Sequence, residues 1–315
     1  MKGIRFLPSG THIPFIGFRK VSLAFSILAM VASVFLFFAV NLNYGIDFRG
    51  GTLIEVRDKS GPVNLGQFRS TLGGLGLGDI QVQEFGAPTD VLIRVEQQAG
   101  GEANQQNAIK AIKGALGDGV DYRRVEVVGP TVSGELIQSG TIAVVVAILA
   151  VLIYIWFRFE WQFSLGAVAA LVHDVILTIG IFCALQIEFN LSIIAAILTI
   201  VGYSLNDTVV VFDRVRENLR KYKKMDFAEL LDLSINETLS RTILTSVTTM
   251  IALVSLYIFG GEVIRGFVFA MIWGVIVGTY SSIFVASPVL LMLGVKREWS
   301  GLSGAKAKEP ASGDA

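Results

Sequence analysis

Six long apolar stretches constrain this chain more than any other feature of its sequence. A helix needs about 20 predominantly apolar residues, with a range of roughly 17–25, to cross a bilayer. The stretches of suitable length are residues 21–40, 141–157, 163–185, 191–212, 242–259 and 267–293. The sequence therefore predicts an integral membrane α-helical bundle with six transmembrane helices. The first stretch is interpreted as a retained anchor and not as a signal peptide, because five more follow it.

The composition agrees with a membrane protein. Hydrophobic residues make up 53% of the chain and charged residues 17%, whereas soluble domains carry about 25% charged residues. The 26 basic and 26 acidic side chains cancel, so the overall charge gives no indication of a nucleic-acid partner. Where each sign is placed along the chain is more informative.

Basic residues in the short connections predict the orientation, since cytoplasmic loops are enriched in Lys and Arg. If the chain alternates across the membrane, one side receives Arg5, Arg19, Lys20, Arg158, Arg214, Arg216, Arg220, Lys221, Lys223, Lys224, Lys296 and Arg297. The opposite short loops, 186–190 and 260–262, contain no Lys or Arg. We therefore expect residues 1–20 and a disordered tail, 294–315, to be cytoplasmic.

The segment between the first two stretches, residues 41–140, has the polarity of a soluble domain. Strand-like patterns at 44–57, 80–85, 91–95 and 120–128 alternate with helical spacing at 64–75 and 102–116. This order predicts one extracytoplasmic α+β domain of βαββαβ, ferredoxin-like type. The glycine-rich run 73–78 does not open a helix after a strand, as a nucleotide site requires, so it is interpreted as a turn.

Polar residues inside the apolar stretches are the strongest functional signal, because a charge at a helix centre costs roughly 2.5–3.5 kcal/mol. In the fourth stretch, Tyr203, Asn206 and Asp207 lie opposite an apolar stripe made of Ile194, Leu198, Val201, Leu205, Val209 and Phe212. This polar face predicts contact with other helices or a water-filled cavity. Two hypotheses are open for Asp207: an interfacial carboxylate that only caps or snorkels, or a titratable group on a proton pathway.

Two other stretches carry candidates. His173 and Asp174 lie near the middle of the third, where a structural hydrogen bond and a proton relay are equal alternatives. Arg241 precedes the fifth and stays charged at physiological pH. It is a candidate counter-ion that holds Asp207 ionised, with a positive-inside anchor as the alternative.

Small residues four apart in the sixth stretch predict a helix-packing ridge, made of Gly266, Ala270, Gly274, Gly278 and Ser282. Pro288 is expected to kink the last turns. The connector 213–241 is expected to continue the fourth helix with basic residues and to restart at Asp226, which with Glu229 forms a capping-box pattern before an amphipathic stretch. We expect that stretch to rest on the cytoplasmic membrane surface, with a dedicated docking helix as the alternative.

Several motifs resemble those of the SecF family, and together they extend over almost the whole chain. The four motifs are NYGIDFRGGT at 43–52, GPTVSGEL at 129–136, GYSLNDT at 202–208 followed by FDRVREN at 212–218, and NETLSRT at 236–242. The second motif departs from the family at Ser133, where glycine is expected. Four ordered motifs on a matching topology are a specific resemblance.

The resemblance implies a subunit of the bacterial protein-export translocase within the wider RND superfamily of proton-coupled transporters. It implies a complex with SecD, beside the SecYEG channel and the SecA motor, with YajC as an additional candidate partner. Proton-motive force would then assist late translocation and release of the preprotein. The family's proton-pathway groups correspond to Asp207 and Arg241. No cofactor is implied beyond the proton as coupling ion.

Three other functions compete. An intramembrane enzyme is disfavoured, because the sequence contains no GxSxG or HExxH motif and no nucleophile–base pattern beyond His173-Asp174. The absence of a P-loop lysine motif argues against energy from a bound nucleotide. An uncoupled membrane scaffold predicts that Asp207 and Arg241 tolerate neutral substitution. An RND-type exporter half would normally carry a larger outer domain than 41–140.

Overall fold

The computed structural model describes residues 12–295. Basic residues 5, 296 and 297 and nearly all of the predicted tail lie outside this range. The elements, in chain order, are α1 (Arg19–Ala39), α2 (Ile46–Arg49), β1 (Gly51–Asp58), α3 (Leu65–Gly73), β2 (Ile80–Phe85), β3 (Ala87–Val95), α4 (Glu102–Leu116), β4 (Val120–Val128), α5 (Pro130–Arg158), α6 (Trp161–Leu185), α7 (Leu191–Lys221), α8 (Phe227–Phe259), α9 (Glu262–Ser281) and α10 (Ser287–Leu293).

Six helices within residues 12–295 are long and apolar enough to cross a membrane. They are α1, α5, α6, α7, α8 and the continuous unit Glu262–Leu293 formed by α9 and α10. Several extend beyond the apolar stretches. Helix α5 begins at Pro130, where a proline at the first helical position is well tolerated because that N–H has no intrahelical partner. The last eleven residues assigned to the outer domain, 130–140, are therefore the first turns of α5.

Elements α2 to β4 form an α/β domain around a four-stranded antiparallel sheet of order β2-β3-β1-β4. Helices α3 and α4 cover one face, and the core there includes Ile54, Leu72, Ile93 and Ile112, all fully buried. The glycine run ends α3 and leads into β2 as a turn, with Gly76 and Gly78 at positive φ.

An ion pair fixes the register of two neighbouring strands. Arg57 on β1 lies opposite Asp90 on β3 and donates two hydrogen bonds to it, of 2.6 and 2.7 Å. These bonds lower the pKa of the Asp90 carboxyl below its ordinary value. The pair stabilises the strand pairing above the ordinary pKa of an aspartate, and this contribution is lost as the pH falls through the lowered value.

The α/β domain is docked on the loop between α6 and α7. Tyr44 forms a parallel bridge with Phe189, and Asp47 Oδ2 accepts a hydrogen bond of 2.8 Å from the backbone N–H of Leu191, at the start of α7. On β3, Arg94 pairs with Glu188 at 2.6 Å. The NYGIDFRGGT segment is thus the joint between the domain and the helix bundle.

The connector prediction is wrong in one respect. Residues 213–221 continue α7, and α8 begins at Phe227 and runs without a break to Phe259. Asp226 caps α8 by accepting a hydrogen bond from Ala228 N–H. Leu230, Leu231 and Ile235 are buried in the same cluster as Phe212 of α7. The amphipathic face therefore packs on the bundle and does not rest on the membrane surface, because another helix is available to bury it.

The small-residue ridge of α9 packs against α7. A Cβ at Gly274 would overlap Ile200, and one at Gly278 would lie 3.1 Å from the Cβ of Ser204. Absent side chains let the two helix axes approach closely. After α9 the chain makes a π turn, Ser282–Ala286, before α10. Pro288 explains this turn, since its ring would clash with the carbonyl four residues earlier in a regular α-helix.

Candidate functional site: two buried aspartates

Asp207 lies on α7 where three helices meet. Its Oδ1 accepts a hydrogen bond of 2.6 Å from the hydroxyl of Thr242 on α8. Its Oδ2 accepts one of 2.6 Å from Ser282, directly after α9. Only 8% of the residue is exposed. A carboxylate this buried is therefore satisfied by hydroxyl groups from two neighbouring helices.

Arg241 is not a direct partner of Asp207. It directly precedes Thr242 on α8 and its side chain is exposed. Within residues 12–295 no hydrogen bond or ion pair joins the two groups, and the carboxylate oxygens of Asp207 are bonded to Thr242 and Ser282. The contact expected from the sequence is instead made by Thr242, because adjacent helical residues point about 100° apart and only one can face α7.

The remaining polar residues of α7 fall into two environments. Tyr203 is half-buried and its hydroxyl donates to Ser246 on α8 at 3.4 Å, and Ser246 shares a hydrogen bond of 2.8 Å with Thr279. Asn206 is exposed, and no hydrogen bond joins its side chain to Asp207 in the described part of the chain. It therefore does not help to hold the carboxylate.

The exposed polar residues form one surface on the outside of the bundle. On α7 they are Thr199 and Asn206, and on α8 they are Arg241, Thr245 and Thr248. The antiparallel helices face each other through Asp207 and Thr242, so the residues just before these two lie on the same side of the pair. We call this set the polar face. Hydroxyl, amide and guanidinium groups at this depth are poorly suited to lipid contact.

A second buried carboxylate, Asp174 on α6, is held more tightly. Its Oδ2 accepts hydrogen bonds from Ser204 at 2.6 Å and from Ser281 at 2.8 Å. Its Oδ1 lies 2.9 Å from Nδ1 of His173. His173 and Asp174 are buried to 0% and 1% exposure.

His173 connects this cluster to α1. Its ring stacks on Tyr280 at 5.9 Å between centroids, and the Tyr280 hydroxyl donates to the backbone oxygen of Ser22 and lies 3.0 Å from the hydroxyl of Ser26. Nε2 of His173 has no hydrogen-bond partner among the described residues. The cluster thus ties α1, α6, α7 and α9 together.

Consecutive serines link the two aspartates. Ser281 donates to Asp174 and Ser282 donates to Asp207, at the point where α9 passes into the π turn. Short π-helical segments inside α-helices are frequent at functional sites. From the sequence, Ser282 has only a packing role, Ser204 only flanks the polar side of α7, Thr242 only begins the fifth stretch, and Ser281 is not singled out. The signal that could have been used is a Ser-Ser pair a few residues before a proline in an otherwise apolar helix.

The arrangement suits reversible protonation. A hydroxyl can donate to a carboxylate or rotate to accept from a carboxylic acid, so Thr242 and Ser282 can satisfy Asp207 in both states. A metal-binding role has no support in residues 12–295, which contain no group of three or more His, Cys, Asp or Glu side chains able to hold an ion.

Comparison with known proteins gives a consistent result. Residues 108–296 match the family model for the C-terminal part of the protein export membrane proteins SecD and SecF, and residues 35–57 match the model for the SecD/SecF GG motif. The chain is 48% identical to the protein translocase subunit SecF of Cereibacter sphaeroides over 93% of both chains.

Two-part relatives match over part of their length. The chain is 46% identical to the protein translocase subunit SecDF of Brucella abortus, covering 93% of this chain and 39% of that one. It also superimposes on the crystal structure of SecDF, a translocon-associated membrane protein of Thermus thermophilus, with a TM-score of 0.81 and 33% identity. That match covers 90% of this chain and 39% of the solved one.

Proposed function

The chain belongs to the SecF family of protein translocase subunits, and from this premise we propose that it couples proton movement to protein translocation through Asp207. The observation that carries the proposal is a carboxylate that is nearly buried between membrane-spanning helices and held only by hydroxyls. Energy would enter through protonation of this group and not through a reaction catalysed by the chain. The proton is the only coupling ion required.

The energy that one proton supplies is large enough for this coupling. A proton crossing the membrane delivers about 2.3 kcal/mol per 100 mV. A charged side chain at the centre of a membrane helix costs roughly 2.5–3.5 kcal/mol. Neutralising Asp207 therefore changes the energy of the α7–α8–α9 junction by an amount comparable to the energy that one proton supplies. Arg241 would act as a counter-charge at a distance, favouring the ionised form between protonation events.

His173 and Asp174 are proposed to stabilise the bundle and not to carry protons. Asp174 has three side-chain partners, one more than Asp207, and it is buried to 1% exposure. The polar continuity through Ser281 and Ser282 leaves a relay to Asp207 as the second candidate role. The test below separates the two.

We propose that SecD covers the polar face. Relatives in which SecD and SecF are one chain support this partnership. The exposed amide of Asn206 and guanidinium of Arg241 need a polar partner or water at membrane depth. Action beside SecYEG and SecA, with YajC as an additional partner, rests on the family resemblance. The translocating preprotein would be the cargo of the assembly.

The chain is a multi-pass protein of the inner membrane, and we propose that both termini face the cytoplasm with the α/β domain in the periplasm. The end of the bundle away from the domain carries Arg19, Lys20, Arg158 and the basic residues of α7, which supports this orientation. The strand order β2-β3-β1-β4 with two helices on one face supports a ferredoxin-like assignment for the domain.

Translocation in reconstituted vesicles tests the function. Vesicles containing the channel, the motor, SecD and this chain would receive an imposed proton-motive force, and completion of preprotein export would be measured. Asp207→Asn is expected to abolish the increase that proton-motive force gives, and Arg241→Gln to reduce it. Asp121→Asn, on the exposed side of β4, is the matched control. A full proton-driven increase in Asp207→Asn would overturn the proposal and favour an uncoupled scaffold, and its loss in Asp174→Asn with normal assembly would establish the relay.

A further inference from the structure

A cavity of about 470 Å³ lies at the end of the bundle away from the α/β domain. It is lined by Arg158 at the end of α5 and by five residues of the last turns of α7, which are Asp213, Arg216, Glu217, Arg220 and Lys221. Four of the lining residues are basic and two are acidic, so the lining carries a formal net charge of +2. We call this cavity the basic pocket.

The acidic residues do not neutralise the basic pocket. Asp213 accepts two hydrogen bonds from Arg158, of 2.9 and 3.1 Å, and lies 3.9 Å from Arg216. Glu217 is engaged at 2.6 Å by Arg214, which is not part of the lining. Arg220 has no ion-pair partner within residues 12–295. Its guanidinium is therefore available to an anion from outside the chain, whereas the Lys221 ammonium lies 4.8 Å from the ring centre of Tyr222.

Two of the guanidinium groups are held in place before any ligand arrives. The carbon at the centre of the Arg158 guanidinium lies 4.9 Å from the ring centre of Phe159, and that of Arg216 lies 5.3 Å from it. Arg216 also donates to the backbone oxygen of Arg158 at 3.3 Å. Phe159 itself is buried. Fixed guanidinium groups lose less side-chain entropy on binding, and their planar donors match the oxygens of a phosphate group.

Exposed aromatic residues place the basic pocket at the edge of the membrane. Trp156 is 69% exposed, Phe157 89% and Trp161 55%, and all three lie within three residues of Arg158 in sequence. Large aromatic side chains are enriched at the headgroup level of membrane proteins. A phosphate group in the basic pocket would therefore be at the depth of lipid headgroups, with acyl chains beside these rings.

From the unpaired charge, the preordered guanidiniums and this depth, we propose that the basic pocket binds the phosphate of an anionic membrane lipid. Basic pockets at the ends of transmembrane helices are a known mode of binding such headgroups. A free phosphate anion has the same charge chemistry but no affinity for the surrounding aromatic surface. The proposal does not depend on proton coupling at Asp207.

Lipid binding to the purified full chain tests the proposal. The chain in detergent would be titrated with phosphatidylglycerol, and bound lipid would be counted by native mass spectrometry. Arg216→Gln/Arg220→Gln is expected to weaken binding at least about tenfold, since one hydrogen bond to a charged group is worth about that factor. Arg220→Gln alone, which removes no ion pair in the described chain, should weaken binding in the same direction with the fold intact.

The matched control is Lys223→Gln/Lys224→Gln. It removes two positive charges from the same end of the molecule but outside the basic pocket, so both double variants lose the same general attraction to an anionic surface. An equal loss in both would overturn the proposal, as would equal binding of phosphatidylcholine. Displacement of the lipid by inorganic phosphate at an equal concentration would overturn the assignment to a lipid and leave a free-anion site.

Discussion

Asp207 and Asp174 differ in the groups that hold them. Asp174 is enclosed by two serines and a histidine at 1% exposure, whereas Asp207 has two hydroxyl donors and lies at 8% exposure beside the polar face. The first environment is typical of a structural buried carboxylate, and the second leaves a route by which a proton can arrive. We therefore expect the two residues to differ in role, although the same turn of chain, Ser281-Ser282, contacts both.

Double-mutant cycles should show that Ser282 interacts with Asp207 and that Ser281 does not. Combining Ser282→Ala with Asp207→Asn is expected to give a coupling energy of about 1 kcal/mol or more, because the hydrogen bond to a charged oxygen is lost only once. Ser281→Ala with Asp207→Asn should give a value near zero. Unfolding of the purified chain in mixed micelles measures both. Equal coupling for the two serines would contradict the assignment of one serine to each aspartate.

The sequence identified the carboxylates of Asp207 and Asp174. It did not identify the hydroxyl groups that bind Asp207. A charged residue in an apolar stretch is conspicuous because of its cost in the membrane, and so Asp207 and Asp174 could be named. Thr242 and Ser282 are ordinary members of membrane helices, and hydroxyls there usually bond to their own backbone. Only the packing of α8 and α9 against α7 turns them toward Asp207.

Helix α7 connects the α/β domain, Asp207 and the basic pocket. Its first turn donates a hydrogen bond to Asp47 of the NYGIDFRGGT segment, its middle carries Asp207, and its last turns line the basic pocket. Hydropathy located the apolar part of α7, and the basic residues after 212 were predicted to continue the same helix, which the structure extends to Lys221. Hydropathy reports solubility in lipid and not helix continuity, so it did not indicate that α8 runs without a break from Phe227 to Phe259.

The close contact of α9 with α7 predicts a strong dependence on one glycine. Gly274→Ala should destabilise the chain by about 1–3 kcal/mol, because the added Cβ overlaps Ile200 in a packed interface. Gly202→Ala is the matched control on α7, since a Cβ there meets nothing within 4 Å and alanine is the better helix former. Thermal unfolding in detergent compares the two. Equal stability of both variants would contradict the packing described.

At the scale of the whole molecule, the α/β domain and the bundle meet through few but specific contacts. Arg94 reaches from β3 to Glu188 in the loop before α7, and both side chains are largely buried at 11% and 22% exposure. The sequence predicted the two parts and their order, because hydropathy and alternation are local properties. The ion pair that joins them could not be predicted, because its two residues are almost a hundred positions apart in the sequence.

This joint should be sensitive to the loss of one charge. Glu188→Gln is expected to destabilise the docked domain by about 1–3 kcal/mol, because Arg94 keeps its charge in a largely buried position. Hydrogen exchange of the first turn of α7 and of residues 43–47 should rise. Glu102→Gln, on the far side of the domain at the start of α4, serves as the control. Unchanged exchange in Glu188→Gln would mean that the other contacts, the Tyr44–Phe189 bridge and the bond from Leu191 to Asp47, hold the domain without the ion pair.

The proposed function requires Asp207 to take up a proton, and infrared difference spectroscopy detects this uptake. The complete complex in membranes would be titrated with pH, and the carbonyl stretch of protonated carboxyl groups would be followed. We predict a band that forms as the pH falls, is missing in Asp207→Asn and persists in Asp174→Asn. A spectrum that is unchanged by Asp207→Asn, or a titrating band that disappears only with Asp174→Asn, would contradict the account.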